Sequence, residues 1–367
     1  MTAPSITTRI LRLVVEQAPI SQSGLKKLSG LSMSAVSQAT NRLLAKGLIQ
    51  ELGLRRVSMG RPKMLLGLTP DYANVIGVQL NADRNLIIMT DLSGNLISEQ
   101  QLPSGELSPK QLSDALAKFL NTNRDKHIGA IGLAISGLVD PNSGECLRST
   151  VLNWTRVPIA QQLTERFNIP VYIENDANAM AQASLVFGQL GQAKSAIITT
   201  YGQGIGAGII INRQLYRGNH GTAGEIGSAL LADGSGKVLE DVASTKAILS
   251  QLADDPFQKT PLQHLQELDH QPSELALEVL TQAGHYLGIA LANLATAFDP
   301  EVVYLVTEPQ MASRILLDQV TQSFQQFRLK LAPQLTPLQF IAESRMSAQG
   351  AAGLAVNRLI DEISSEM

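Results

Sequence analysis

The stretch that most constrains the fold is Glu174-Asn175-Asp176-Ala177-Asn178-Ala179. An apolar run, Pro170-Val171-Tyr172-Ile173, precedes it and reads as a short buried strand. Met180-Ala181-Gln182-Ala183-Ser184-Leu185 follows and reads as helical. Two acids and two amides therefore sit where a strand ends and a helix begins. In open α/β sheets the carboxyl edge of the strands is the ligand-binding edge. Asn175 and Asp176 offer amide donors and acceptors beside a carboxylate, a set that suits a ligand covered in hydroxyls. The same side chains also cap helices by accepting from free backbone N–H groups, so capping stands as an alternative reading.

At 367 residues the chain is long enough for two or three domains with a sizeable core, and its 44% hydrophobic content is that of a globular protein. No apolar run is expected to reach membrane-spanning length, and no signal peptide is expected. The single Cys146 excludes an internal disulfide and fits a reducing cytoplasm. Charge is unevenly spread. Residues 1–70 hold ten lysines and arginines against Glu16 and Glu51, a balance of +8, while the remaining 19 basic and 30 acidic residues give −11. A basic module on an acidic body points to nucleic acid as the partner of the module alone.

Ile6, Ile10, Leu11, Leu13 and Val14 mark one face of a first helix that stops near Ala18-Pro19. Ser21 can cap a second helix to Leu28, Ser29-Gly30-Leu31 reads as a turn, and Ser32 or Ser34 caps a third helix through Ala45. This is helix-turn-helix spacing. The third helix presents Ser34, Ala35, Ser37, Gln38, Asn41 and Arg42, small and amide side chains able to read base edges in a major groove. Leu48–Leu52 and Leu65–Leu68 read as two strands of a wing. Arg55, Arg56 and the Gly60-Arg61-Pro62 step lie between them, and arginine in so narrow a segment can enter a minor groove. The alternative is a three-helix protein-interaction module, which the +8 charge disfavours.

Pro70-Asp71 marks a boundary, after which strands (74–80, 86–91, 128–135, 195–200) alternate with helices (109–120 among them) in an α/β pattern. Tyr201 leads into Gly202-Gln203-Gly204-Ile205-Gly206-Ala207-Gly208, whose alternating glycines suit either a phosphate cradle or a tight hairpin. In Ala223-Gly224-Glu225-Ile226-Gly227 an acid is set between glycines, open to a ligand or merely to solvent.

Gly137-Leu138-Val139-Asp140-Pro141, Glu174–Ala179, Gly202–Gly208 and Ala223–Gly227 occur in this order at spacings that resemble the ROK family of repressors, open reading frames and sugar kinases. The likeness runs from about Asn74 to Gly350-Ala351-Ala352-Gly353-Leu354. With the winged helix-turn-helix it resembles the family's transcriptional regulators over nearly the whole chain. The resemblance implies an α/β fold with a winged helix-turn-helix at 1–70 and an actin-like domain of two lobes at 71–367. In that arrangement the C-terminal helix packs back on the first lobe. It also implies a sugar or sugar phosphate bound by Gly137, Asn175, Asp176, Glu225, Ser228 and Glu240, and assembly as a homodimer or homotetramer.

Two departures qualify what is implied. The family's kinases carry Asp-x-Gly-Gly-Thr after the first strand, whereas here the stretch is Gln79-Leu80-Asn81-Ala82-Asp83. Side chains at the former glycines obstruct the approach that phosphoryl transfer needs. The family's zinc site uses a His after Gly-Glu-Ile-Gly and a cysteine-rich segment. Here Ser228 replaces the His and Asp233–Glu240 contains no cysteine, so no metal and no other cofactor is expected. Trp154 reads most simply as core, and Asn153 matches the family pattern only inexactly. The expected function is therefore a cytoplasmic, sugar-responsive transcriptional repressor with operator DNA as partner, with no catalytic residue and no membrane association. A hexose or amino-sugar kinase with an accessory DNA-binding module, using Asp176 as base, is the alternative.

Overall fold

Serine punctuates the basic N-terminal region. Ser5, Ser21 and Ser32 each accept a backbone N–H and start α1 (Ile6–Gln17), α2 (Gln22–Ser29) and α3 (Met33–Ala45). Of the two serines able to cap α3, Ser32 is the one that does so. β1 (Ile20–Ser21), β2 (Ile49–Arg55) and β3 (Lys63–Leu68) pair antiparallel in the order β1-β3-β2, forming the wing. Gln22 reaches from α2 to the buried Thr40 of α3 (Nε2 to Oγ1 2.8 Å), fixing the two helices. The computed structural model describes residues 5–55, 62–82, 84–191, 193–253, 264–329 and 335–365.

Contacts divide the chain into two compact units, Met1–Gly191 with Ser347–Met367, and Gln192–Met346. Beyond the wing the first unit runs through β4 (Asn74–Leu80), β5 (Asn85–Asp91), β6 (Leu96–Gln101), α4 (Pro109–Thr122) and β7 (Ile128–Ile135). It continues through the small strands β8 (Leu138–Asp140), β9 (Glu145–Ser149) and β10 (Trp154–Val157), then α5 (Ile159–Phe167), β11 (Val171–Asn175) and α6 (Asp176–Val186). The second unit holds β12 (Ala196–Tyr201), β13 (Ile205–Ile211), β14 (Gln214–Tyr216), α7 (Glu240–Ala243), α8 (Thr245–Gln251), α9 (Glu274–Phe298), β15 (Val302–Thr307), α10 (Arg314–Phe327) and β16 (Leu338–Ala342). The chain then returns to the first unit as α11 (Met346–Ser365).

The two main sheets share one topology. In the first, β4, β5 and β6 form an antiparallel meander, with β7 parallel to β4 and β11 parallel to β7. In the second, β12, β13 and β14 form the meander, with β15 parallel to β12 and β16 parallel to β15. Helices cover both faces of the first sheet, and alternation along β4 serves both: Ile76 and Val78 pack with α4 and α5, while Val75 and Gly77 face α11. α11 lies so close that a Cβ on Gly77 would stand 2.2 Å from the Ala348 carbonyl oxygen, and one on Gly132 would stand 1.9 Å from that of Ala351.

The apolar residues of α1, α2 and α3 (Ile10, Leu11, Val14, Leu25, Val36, Leu43) belong to one cluster with Val75, Leu86 and Ile88 of the first sheet and Val356, Leu359 and Ile360 of α11. An ion pair, Arg12 to Asp361 at 2.5 Å, adds an exposed tie between α1 and α11. Trp154 is buried with its indole N–H on the Leu107 carbonyl (2.9 Å), a core role. Asn153 is exposed, with φ of +55°.

In the second unit Leu280, Leu287 and Leu291 of α9 pack with Leu316, Val320 and Phe324 of α10. Contrary to the expectation of no apolar run of that length, α9 is long and apolar enough to cross a membrane by length and composition, its most apolar stretch having a mean hydropathy of 1.2. Its Ala276, Leu280, Ala283, Leu287, Leu291 and Ala292 lie in the core of this unit and half of its most apolar stretch is buried, the pattern of an internal helix.

Candidate functional site

In the first unit the carboxyl ends of β4, β7 and β11 lie at one edge, since Leu80 pairs with Ile135 and Ile135 with Asn175. Asn175 closes β11 and is also the N-cap of α6. Its Oδ1 accepts from the N–H groups of Ala177 (3.0 Å) and Asn178 (3.2 Å), and its Nδ2 donates to the Gly137 carbonyl at 3.1 Å. Gly137 is held at φ +145°, and a Cβ there would stand 2.4 Å from the Arg148 carbonyl oxygen, so the position requires glycine. Asp176 is the first helical residue. One of its oxygens accepts from the Ala177 N–H at 3.0 Å. The structure thus assigns capping to Asn175 and leaves Asp176 as a half-buried first-turn acid, favoured by the helix dipole. Glu174 is buried, and its Oε1 accepts from the Asn175 N–H (3.1 Å).

The stretch at the end of β4 has its own structural work. Gln79 is buried and its Oε1 accepts from the Ala348 N–H (3.2 Å) at the start of α11. Asn81 turns the chain by accepting from the Arg84 N–H (2.8 Å). Asp83 lies outside the described residues.

In the second unit the glycine run 202–208 is the turn and second strand of the β12–β13 hairpin. The N–H of Ile205 goes to Glu240 Oε1 (3.1 Å) and that of Gly206 to Thr200 Oγ1 (3.2 Å), so both are engaged by the protein itself. The run thus folds as a hairpin, with these two N–H groups taken up within the protein. Gly224, at φ +95°, brings the following loop against β13: its carbonyl accepts from the Ala207 N–H at 2.8 Å. That contact sets Glu225 at the start of a 3-10 turn, Ile226–Ser228, where the Ser228 N–H bonds the Glu225 carbonyl at 3.2 Å. Glu225 retains exposed surface, yet desolvation by the surrounding loop raises its carboxyl above the ordinary value, and the negative Glu240 raises it further. Within this unit Glu225, Ser228 and Glu240 are therefore neighbours. Within the first unit Gly137, Asn175 and Asp176 are.

The segment from 229 to 239 is a small hairpin. Ala229 and Leu239, Leu231 and Lys237 are joined by backbone hydrogen bonds of 2.9 Å, and Leu230 bridges to Val238. Asp233 accepts from the Ser235 N–H (2.9 Å) at the tip and from the Tyr286 hydroxyl of α9 (2.8 Å). The hydrogen bonds to Ser235 hold the Asp233 carboxyl down at about 2. The donor set does not fit zinc: residues 228–240 contain neither His nor Cys. Among the described residues no group of three or more His, Cys, Asp or Glu is placed to hold a metal ion. No signal in the sequence pointed to Tyr286, which lies 53 positions away.

In the N-terminal module Ser34, Gln38, Asn41 and Arg42 are exposed on α3, with Ala35 and Ser37 half-buried beside them, while Val36, Ala39, Thr40 and Leu43 face inward. The i, i+4, i+7 spacing puts the exposed set on one face. The Arg55 side chain, Arg56 and Arg61 lie outside the described residues.

A family model described as the ROK family matches residues 75–358. The xylose repressor of Bacillus spizizenii is 32% identical over 309 residues, covering 81% of this chain and 80% of that protein. The N-acetylglucosamine repressor of Escherichia coli O6:H1 is 26% identical over 349 residues, covering 88% and 86%. The solved structure of a ROK family transcriptional regulator, a homologue of the E. coli MLC protein, superposes with a TM-score of 0.81 over 98% of this chain and 97% of its own, at 24% identity. That likeness establishes the fold: N-terminal helices and wing, then the ROK actin-like domain. By the family match over most of its length and by its similarity to the xylose repressor, the chain belongs to the ROK family.

Proposed function

We propose that the protein is a transcriptional repressor whose affinity for operator DNA is set by a sugar or sugar phosphate. The observation that carries this reading is the exposed α3 face, Ser34, Gln38, Asn41 and Arg42, on a chain similar along four-fifths of its length to a xylose repressor. α3 enters the major groove, its amides reading base edges, and Arg55, Arg56 and Arg61 bind through the wing. Gly137 orients Asn175 through its carbonyl. The sugar-binding residues are Asn175 and Asp176, at the start of α6, together with Glu225, Ser228 and Glu240. Asp176 acts as a hydrogen-bond acceptor and transfers no proton. A ligand that binds two arrangements of the protein unequally shifts operator affinity by that difference. The working form is a homodimer or homotetramer, which would read paired half-sites.

The test is selection of bound duplexes from a randomised library by the full-length protein, followed by titration of the selected duplex with D-xylose and with N-acetylglucosamine. One enriched, two-fold-related sequence whose binding changes with one of the sugars is the expected result. An absence of any enriched sequence, with and without the sugars, overturns the reading.

A further inference from the structure

α6 is buried on every side. From Ala177 to Val186 only Gln182 is partly exposed. Amphipathic helices have a solvent face into which strain can relax, and α6 has none. Its middle is gripped at backbone distance by α11: a Cβ on Gly350 would stand 2.8 Å from the Met180 nitrogen and 2.9 Å from the Ala179 carbonyl carbon. One turn on, a Cβ on Gly353 would meet Ala183 Cβ at 2.8 Å and the Phe187 ring at 3.3 Å. Ala179 also packs with Ala134 of β7 and Ala351 of α11.

The ends of α6 meet different parts of the unit. At its start stand Asn175 and Asp176. At its finish Val186 is buried in the same cluster as Ile10, Leu11 and Val14 of α1, and Phe187 packs against that cluster. Past the helix, the site of a Gly188 Cβ lies 3.9 Å from the Glu16 carbonyl oxygen of α1. α1 in turn packs on α3. A helix of this length spans about 16 Å.

We propose that α6 is the rod through which the ligand edge acts on the DNA-binding module, moving as one body between Asn175–Asp176 and α1. This inference rests on the proposed function for the identity of the signal, but the mechanical link can be read without sugar or DNA. Close-packed interiors shift between discrete arrangements rather than deforming smoothly. At Gly350 and Gly353 α11 meets the Ala179–Met180 backbone and the Ala183 methyl of α6, groups that cannot yield by changing rotamer. A ligand drawing on Asn175, which holds both the helix cap and the Gly137 carbonyl, therefore displaces the far end against Val14 and Glu16.

Hydrogen exchange of the full-length protein tests the link. Asn175→Ala removes the cap of α6, and Ser108→Ala removes that of α4, which packs on the opposite face of the sheet and serves as control. The expected result is exchange in α1 (Ile6–Gln17) faster by about fivefold in Asn175→Ala, as loss of a cap predicts, and within about twofold of wild type in Ser108→Ala. Equal effects of the two variants on α1, or none, overturn the proposal.

A second arm uses Val186→Ala, which shortens the contact with α1, in case Asn175→Ala unfolds. The D-xylose Kd of the DNA-free protein should stay within about threefold, while the ratio of operator Kd with and without D-xylose moves about tenfold toward unity, within the usual range of allosteric coupling. An unchanged ratio in folded Val186→Ala also overturns the rod. A wild-type protein indifferent to D-xylose counts against that choice of sugar in the proposed function, and the exchange comparison still decides the role of α6.

Discussion

Asp176→Asn should separate the proposed sugar binding from folding at the strand–helix junction. The cap of α6 belongs to Asn175, which accepts two N–H groups and donates one hydrogen bond, while Asp176, the first residue of the helix, accepts from the Ala177 N–H. Neutralising Asp176 keeps its shape and removes a first-turn charge worth about 0.3–1 kcal/mol against the helix dipole. In a unit of this size that lowers Tm by roughly 1–4 °C. A sugar hydroxyl donating to the carboxylate instead contributes about 1.5–3 kcal/mol, so affinity should fall by roughly 10- to 150-fold.

Thermal melting with added D-xylose or N-acetylglucosamine reads both effects. At a ligand concentration 100 times the wild-type Kd the stabilisation is about 2.7 kcal/mol; a 30-fold loss of affinity reduces it to about 0.9 kcal/mol. Two results would refute the reasoning. One is a ligand-free Asp176→Asn protein destabilised by more than about 3 kcal/mol, which would make the residue structural. The other is an undiminished ligand shift, which would remove Asp176 from the sugar site.

Gly132→Ala should destabilise the first unit by about 3 kcal/mol or more, because its methyl would meet the Ala351 carbonyl oxygen of α11 and neither backbone can withdraw; denaturant melts check this. Asn41→Ala should relax base preference at one position of each half-site by about 1–3 kcal/mol in competition binding, leaving non-specific affinity unchanged. The Asp233–Tyr286 tie should hold from about pH 4 to about pH 10. Asp233 titrates below its unfolded value, so its contribution is present above that value and lost as pH falls toward about 2; Tyr286 titrates above its own, so its contribution is lost only as pH rises past about 10. Amide exchange across 229–239 should follow that window, and Tyr286→Phe should open the hairpin at neutral pH with no response to zinc or EDTA. Glu225, raised by desolvation and by Glu240, favours folding most when protonated, so its effect is greatest below its unfolded value and is lost as pH rises through the folded one. Glu225→Gln should therefore flatten that part of the stability profile, and the wild-type sugar affinity should fall as the carboxylate takes up its proton.

The alternation of strand and helix patterns and the cap residues made much of the architecture legible. Ser21 and Ser32 start the helices that their hydroxyls predict, and the run 128–135 is a strand over its whole length. Those signals are local in sequence. What escaped was long-range. At the 174–179 junction, composition allowed ligand binding and capping together, and only the geometry shows that Asn175 is the residue that caps. The glycines of 202–208 permitted a phosphate cradle or a hairpin because glycine removes a constraint without specifying what fills the space; Glu240 and Thr200 take two of the N–H groups. The hairpin at 229–239 has no apolar periodicity and leans on Tyr286. Gly350 and Gly353, one turn apart, were visible as small residues, but their partner helix was not.

The discontinuity of the first unit has a consequence for how the protein is made. Residues 192–346 must all be translated before α11 appears, and at about 5–20 residues per second that interval is roughly 8–30 s. Until then the side of α1 that will meet Val356, Leu359 and Ile360 lacks those partners, and so does the face of β4 and β7 that Gly77 and Gly132 leave bare for the last helix. The module made first is thus completed by the segment made last. A ribosome that stalls inside the second unit releases a chain whose α1 lacks part of its apolar seat, and such a fragment is a substrate for chaperones and proteases before it can compete for an operator.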